Sequence, residues 1–279
     1  MTVRELVRTV KLLYAGKGGE AFFSERIFLS ALFEKNALPR DLRLADPDRA
    51  LPEDVTEKIL SDARLLLDGE PLQYYLGTAF FDGREFLCER EVLIPRADTE
   101  TLVDEGERLL PGKSVFFDLC CGSGCVGIAL LLRRPDLSGF AFDLSEKALS
   151  LAGKNRARFG LEKRLFLARL DVFSPDLENA IRREKPALVL ANPPYLSSAD
   201  MKEIPPNVRR EPEIALHGGE DGLLFYRRFF DLCRKTGVPF AFEIGKGQDV
   251  PLRRLAEKEG FSASFCKDGG GVWRVMKIQ

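Results

Sequence analysis

The sequence predicts an α/β fold: an open, largely parallel seven-stranded β-sheet flanked by helices, preceded by a small N-terminal helical bundle. Three observations predict it. From residue 113, apolar extended runs alternate with helical stretches, which is the pattern of βαβ units. The last two runs are joined only by Lys267–Gly271, too short for a crossover, so they form an antiparallel hairpin at one edge. Before residue 70, apolar residues recur at three- and four-residue spacing instead.

In chain order, Thr2-Val3-Arg4-Glu5 has capping-box spacing, and Val3, Leu6, Val7, Val10 and Tyr14 follow on one helical face. A second helix is expected over Glu25–Leu32. Pro52 opens a third, with Val55, Ile59, Ala63 and Leu66 on one face. Such a bundle can dock a partner or simply pack. Residues 71–100 read as a connector, in which Phe80-Phe81-Asp82-Gly83-Arg84-Glu85-Phe86 places a D-G turn between aromatics and signals a β-hairpin. The strands expected next are Ser114–Asp118, Gly139–Asp143, Arg164–Leu170, Ala187–Ala191, Pro239–Ile244, Ser262–Cys266 and Val272–Ile278. Helices fit between most of them, such as Ser145–Phe159 with Ser145 as N-cap, and Leu223–Lys235. The expected division is a helical domain at 1–72, a hairpin linker at 73–100 and a catalytic α/β domain at 101–279.

A chain of 279 residues accommodates one catalytic domain and a small companion. The longest apolar run, Val126–Leu132, is too short to span a bilayer, so no membrane association is expected. The start of the chain lacks the apolar stretch of a signal peptide, and six cysteines without export signals imply thiols in a reducing compartment. The expected location is the cytoplasm. Forty-two Lys and Arg balance 43 Asp and Glu, which argues against a protein that grips a nucleic-acid backbone. His217 is the only histidine, which removes most Ser/His and Cys/His nucleophile schemes, and it is expected at the surface. Cys120, Cys121 and Cys125 lack a second cluster to complete a tetrahedral set, so no metal is expected.

The first strand of the α/β region ends in Asp118 and runs into Leu119-Cys120-Cys121-Gly122-Ser123-Gly124, then a helical stretch. Glycines at such a turn let backbone approach a ligand, and the helix offers free N–H groups. The next strand ends in Asp143, 19 residues after Gly124, where a carboxylate can accept from both ribose hydroxyls of a nucleoside. Gly122, Gly124 and Gly127 also satisfy the dinucleotide fingerprint G-x-G-x-x-G. Against that alternative, Asp118 is unwelcome near pyrophosphate but favourable near a sulfonium. Asp171-Val172-Phe173 is placed to meet an adenine, with Asp171 toward its amino group and the other two in apolar contact.

The fourth strand ends in Asn192-Pro193-Pro194-Tyr195. Asn192 precedes a proline and is biased to extended backbone, and the two prolines then stiffen the chain. The Asn192 side-chain oxygen and the Pro193 carbonyl are thereby offered as two fixed acceptors for both hydrogens of an NH2 group. Its lone pair then points out of the plane toward an incoming methyl group, and Tyr195 can stack on the planar amide or base that bears it. Alignment of this kind can supply several kcal/mol to transfer onto a poor nucleophile. Glu243-Ile244-Gly245, at the end of the fifth strand, either lines this site or is an ordinary strand end.

From about Glu70 onward the sequence resembles the protein-(glutamine-N5) methyltransferases that modify peptide-chain release factors, the HemK family. The resemblance is carried by Pro71-Leu72-Gln73-Tyr74, Gly83-Arg84-Glu85-Phe86 and Ile94-Pro95-Arg96-Ala97-Asp98-Thr99-Glu100. It continues through Asp118–Gly124, Asn192–Tyr195, Glu211-Pro212, Ala215-Leu216, Gly218-Gly219-Glu220-Asp221-Gly222, and Glu243-Ile244-Gly245 with Gln248. The N-P-P-Y tetrapeptide is shared with DNA adenine methyltransferases; Ile94–Glu100 with Gly218–Gly222 is far more specific. The resemblance implies a class I, Rossmann-like methyltransferase domain behind a helical domain of about five helices. It implies S-adenosylmethionine as cofactor, held by Cys120, Cys121, Gly122, Ser123, Gly124, Asp143, Val172 and Asn192, to which the placement of Asp171 adds a further contact. It also implies a monomer whose protein substrate is a class 1 release factor, with its Gly-Gly-Gln glutamine held by Asn192, Pro193, Pro194 and Tyr195. The alternative is an adenine-N6 or cytosine-N4 methyltransferase acting on DNA or RNA, which requires a basic groove. Cys120-Cys121, Ala97, Leu196 and Asp268–Gly271 depart from the family's usual residues.

Overall fold

Helix α1, Val3–Ala15, begins where the capping box places it: Glu5 N–H donates to Thr2 Oγ1 (3.3 Å) and Thr2 N–H to Glu5 Oε2 (2.8 Å). The computed structural model describes residues 1–17, 24–36, 38 and 46–279, so the expectation of helix through the first seventy residues falls partly outside them. Ser24 caps α2, Glu25–Lys35, which runs three residues beyond its expected end. Pro52 stands at the N-cap of α3, Glu53–Leu67, one position before the first turn. Ile59, Ala63 and Leu66 are buried as their spacing requires, while Thr56 rather than Val55 completes the buried face. A five-residue helix, α4 (Leu72–Leu76), follows where a connector was expected, and Gly77 closes it with a φ of +82°. Leu6, Val10, Phe28, Leu32, Phe33, Ile59 and Leu66 form the core of this unit.

The chain divides into two units, Met1–Gly77 with Pro205–Arg210, and Thr78–Ile204 with Glu211–Gln279. The second opens with the expected hairpin, β1 (Thr78–Phe81) against β2 (Arg84–Leu87). Asp82 and Gly83 between them both have positive φ, +51° and +68°, as a two-residue turn matched to strand twist requires. Helix α5, Glu100–Leu109, comes next, on an amphipathic stretch outside the expected strand-to-strand intervals.

All seven expected strands are present within one residue of their expected ends: β3 (Val115–Leu119), β4 (Ser138–Asp143), β5 (Leu165–Arg169), β6 (Leu188–Ala191), β7 (Phe240–Glu243), β8 (Ala263–Lys267) and β9 (Trp273–Ile278). They form one sheet in the order β5-β4-β3-β6-β7-β9-β8. The first five are mutually parallel; β9 runs antiparallel to β7 and β8, so the terminal hairpin forms the predicted edge. From β3 the chain winds outward to β5, then returns to β6 on the other side. The strand order therefore reverses between β3 and β6, and it is at such a reversal that open α/β sheets bind ligands.

The central strands are buried on both faces, and their side chains alternate between two cores. Phe116, Leu188, Leu190 and Ala241 face one core, with Leu102 and Val103 of α5, the helix α6 (Cys125–Arg133) and Ala152 of α7 (Glu146–Arg158). Phe117, Val189, Ala191, Phe240 and Phe242 face the other, with α8 (Pro175–Glu184), α10 (Leu224–Thr236) and α11 (Asp249–Glu259). A single turn, α9 (Asp200–Glu203), lies between β6 and α10. The Phe116 ring lies over its cross-strand partner Gly139; a Cβ there would stand 2.5 Å from ring carbon Cζ. Gly139→Ala should therefore destabilise the protein by about 1–3 kcal/mol through overpacking, measured by urea denaturation; an unchanged midpoint would refute the tight packing.

Candidate active site

The switch point holds a cleft of about 960 Å³, partly open to solvent, at the carboxyl ends of β3 and β6. Its floor is the turn after β3. Cys120, Gly122 and Gly124 adopt positive φ (+56°, +54° and +77°), so the turn is tightly coiled. For Cys120 this backbone carries a cost that glycine would not. A Cβ on Gly127 would meet Asp118 Oδ2 at 3.0 Å, and without one its N–H donates to that oxygen at the same distance. Helix α6 is thereby seated on the end of β3. Asp118 is 1% exposed, and burial with the nearby Asp143 pushes its carboxyl up to about 7.

Asp143 ends β4 and braces the turn. Its Oδ2 accepts from Gly122 N–H (2.9 Å) and its Oδ1 from Ser145 N–H (2.9 Å), while burial raises its carboxyl. Each oxygen retains a second acceptor direction. Cys120, Cys121, Gly122 and Ser123 line the cleft with Asp143, and Gly124 instead packs against α7, where a Cβ would stand 3.2 Å from Ala152 Cβ. Burial raises the thiols of Cys120 and Cys121 and pushes Cys125 up to about 12, so all three stay protonated. Among the described residues no His, Cys, Asp and Glu side chains gather as a metal-ligand set. Asp171 and Val172 lie on the lining as well; Asp171 Oδ1 accepts from Phe173 N–H (2.9 Å). Phe173 is outside the lining, half-exposed, edge-on to Phe225, which is on it.

Asn192 and Pro194 line the cleft beyond β6; Pro193 and Tyr195 do not. Asn192 Nδ2 donates to the buried Thr99 Oγ1 at 3.2 Å. Tyr195 packs against the second core, and its hydroxyl donates to Glu243 Oε1 (3.4 Å) instead of facing the cleft. Glu243 thus stands beneath the tetrapeptide at the end of β7. Burial pushes its carboxyl up to about 7, against the opposing influence of Thr99 and Arg274. Its Oε2 is buried without a hydrogen-bond partner.

The tetrapeptide is held from outside. Gln248 Nε2 donates to Tyr195 O (2.8 Å) and Gly222 O (3.2 Å), while its Oε1 accepts from Gly245 N–H and the Tyr226 hydroxyl. Leu196 N–H donates to Leu216 O and its carbonyl accepts from Gly218 N–H, both at 2.8 Å, and a Cβ on Gly218 would stand 2.6 Å from Pro194 O. His217, expected at the surface, is half-buried with Nε2 3.0 Å from Ser198 Oγ. Above the cleft, Ile94 N–H (3.1 Å) and Arg96 both donate to the buried Glu211 carboxylate. Sequence reasoning gave no role to Thr99, Glu211 or Asn155. Asn155 accepts from Leu87 N–H (2.7 Å) and donates to Ser123 O (3.0 Å), tying the hairpin to the turn. A polar residue in register with Ala148, Leu151 and Ala152 on the buried face of α7 was the available signal.

The lining suits a cationic nucleoside better than a pyrophosphate. Asp118, Asp143 and Asp171 face the cleft, and among the described lining residues Arg96 is the sole cationic side chain, already paired with Glu211. A profile of the methyltransferase small domain matches residues 99–208. The human METTL16 catalytic domain, solved with the MAT2A 3′UTR hairpin 6, superposes with a TM-score of 0.57 at 15% identity over 86% of each chain. The human methyltransferase 10 domain containing protein superposes with a TM-score of 0.50 at 16% identity, over 68% of this chain and 85% of its own. Fold and site together define a class I methyltransferase. Within that class, the chain is 37% identical to the release factor glutamine methyltransferase of Thermodesulfovibrio yellowstonii over 80% of this chain and 81% of the relative. It is 34% identical to that of Bacillus subtilis over 88% of each. The chain belongs to the release factor glutamine methyltransferase family.

Asp118 and Glu243 both hold a proton more tightly in the folded chain than in the unfolded one. The stability this confers is complete below about pH 4 and is lost as pH rises through about 7. Between pH 5.5 and 8 the wild type should therefore lose more stability than Glu243→Gln, by roughly 1–2 kcal/mol. Equal losses in urea denaturation would contradict the raised Glu243 carboxyl.

Proposed function

We propose that this enzyme transfers a methyl group from S-adenosylmethionine to the side-chain amide nitrogen, N5, of the glutamine in the Gly-Gly-Gln motif of class 1 peptide chain release factors. The observation that carries the reading is the Asn192–Tyr195 turn, which presents Asn192 at the cleft while its Nδ2 is occupied by Thr99. The relatives' name supplies the substrate class.

S-adenosylmethionine, when bound, supplies an electrophilic methyl group on a sulfonium. Asp143 would accept from its ribose hydroxyls, Asp171 and Val172 would meet its adenine, and the Cys120–Gly124 turn would offer backbone to the rest. Asn192 Oδ1 and the Pro193 carbonyl accept the two hydrogens of the glutamine NH2. This orients the nitrogen lone pair along the line of attack and makes positioning the main source of rate. The N–C bond forms as the methyl C–S bond of the donor breaks, leaving a neutral thioether, and the nitrogen's surplus proton departs to water to give the neutral N-methyl amide, so no strong base need act before attack. Tyr195, with its hydroxyl directed at Glu243, sets the wall of the turn and does not stack freely on substrate. The N-terminal helical unit engages the release factor, and the protein acts as a cytoplasmic monomer. No helix among the described residues is long and apolar enough to cross a membrane.

Incubation with labelled S-adenosylmethionine and recombinant release factor, followed by peptide mass spectrometry, should find one methyl group on the Gly-Gly-Gln peptide. Transfer to DNA or RNA with none to release factor would overturn the substrate assignment. Asn192→Ala should lower kcat by roughly 10²–10³-fold while cofactor affinity, read by calorimetry, is partly retained. Full turnover in that variant would refute the two-acceptor mechanism.

A further inference from the structure

The two ends of an Asn side-chain amide have nearly the same shape, so its hydrogen-bond partners decide which end faces the cleft. The mechanism above requires the oxygen there, and this inference rests on that reading. Asn192 Nδ2 donates to Thr99 Oγ1, which leaves Oδ1 as the end turned away from Thr99. Thr99 is an acceptor in that bond, so its own single proton is available. Beside it, close enough for the Thr99 hydroxyl to act on its carboxyl, stands buried Glu243, whose Oε1 is taken by the Tyr195 hydroxyl and whose Oε2 has no other donor. A carboxylate only accepts. A buried acceptor without a partner is costly, and turning the Thr99 proton toward it removes that cost.

We propose that Thr99 and Glu243 are positioning residues that fix the Asn192 amide with its oxygen toward the substrate, Glu243 directing the Thr99 proton and Thr99 thereby accepting from Asn192 Nδ2. Direction runs one way along this chain: an acceptor-only carboxylate, a hydroxyl with one proton, an amide left with one choice. The three residues come from three elements: Thr99 from the 3₁₀ turn before α5, Asn192 from the end of β6 and Glu243 from the end of β7. Protonating Glu243 lets it donate, which frees the Thr99 proton to turn toward Asn192 and weakens the bias. The groups that influence Glu243 are Arg274 on β9, Asp98 beside Thr99, Tyr195, Tyr226 on α10 and Cys125 on α6. Of these, Arg274 is the lone cation, and it is shared with Asp98 and Asp268.

The test compares Thr99→Val, which keeps the shape and loses the hydroxyl, with Thr99→Ser, which keeps the hydroxyl, and with Glu243→Gln. Thr99→Val should lower kcat for the release factor by about 10–100-fold with cofactor affinity unchanged, and Thr99→Ser should restore most of it. A second readout needs no turnover: in protein with ¹⁵N-labelled asparagine, the Asn192 NH2 signals should move with pH around neutrality in the wild type and Thr99→Ser. They should be insensitive to pH in Glu243→Gln and Thr99→Val. Wild-type kcat in Thr99→Val, or losses of turnover and cofactor binding together that Ser does not rescue, would overturn the proposal. So would Asn192 signals that respond to pH identically in every variant. If the wild type methylates no release factor, the substrate reading fails, while the NMR comparison still decides the relay.

Discussion

The constraint on which the site depends is that its central turn cannot hold itself. Pro193 and Pro194 stiffen the backbone but remove two consecutive N–H donors, so no local hydrogen bond closes the turn from within. The fixing comes from outside, chiefly through Gln248, whose amide reaches the Tyr195 and Gly222 carbonyls on one side and accepts from Gly245 and Tyr226 on the other. All four hydrogen-bonding directions of that amide are spent, which leaves it one orientation. Glycine at 218, 222 and 245 follows directly. A Cβ at each would stand 2.6 Å from Pro194 O, 2.4 Å from Tyr195 O and 3.0 Å from Gln248 Oε1 respectively, so a larger residue would push the clamp off the turn.

A second tension runs through the same region. The carboxyl ends of β3 and β7 each carry a carboxyl group buried to about 1% exposure, Asp118 and Glu243, and neither has a cation directly paired with it. Burial of this kind is costly for a charged group, and the fold answers by raising both toward neutrality. Burial raises Glu211 in the same unit as well, but there Arg96 and an amide N–H oppose the shift. Unmatched carboxyls collect where the ligand and the reacting nitrogen are expected, and perturbed groups are known to cluster at such places. Stability near neutral pH is thus lower than the core alone would give, at positions that shape the cleft.

The repeating features were legible because short-range physics governs them. Alternating apolar runs marked all seven strands, the Thr2 capping box and the Asp82-Gly83 turn formed as written, and the short link at Lys267–Gly271 forced an antiparallel edge. Strand order could not be read, because nothing local says that β6 joins β3 and not β5. Helices α4 and α5 were missed for a related reason: five residues carry too little periodicity, and α5 lies outside the strand-to-strand intervals that guided the reading. At the site, residues contiguous in sequence were found and residues contiguous only in space were not. Thr99 lies 93 positions from the Asn192 it contacts, and Asn155 lies 68 from Leu87. His217 looked like a surface residue beside two glycines, yet Gly218 lets its segment press against the turn.

The segments that carry the family resemblance outside the tetrapeptide frame it, and Ile94, Pro95, Arg96 and Thr99 line the cleft itself. In the proposed mechanism the Asn-Pro-Pro-Tyr turn holds a planar NH2, a task that chemistry alone leaves common to enzymes with different substrates. What must differ is the wall around it. Ile94–Glu100 supplies the roof over the cleft and Thr99, Gly218–Gly222 supplies the strip that grips the outgoing chain, and Glu243–Gln248 supplies the buried carboxyl and the clamp. These segments come from separate stretches of the chain and converge on the tetrapeptide, with Gln248 also bonded directly to Gly222. A change in any one alters the orientation of Asn192 or the course of the chain after Tyr195 without altering the reacting groups. On the proposed mechanism, discrimination between a glutamine side chain and a base resides in this scaffold and not in the four residues at its centre.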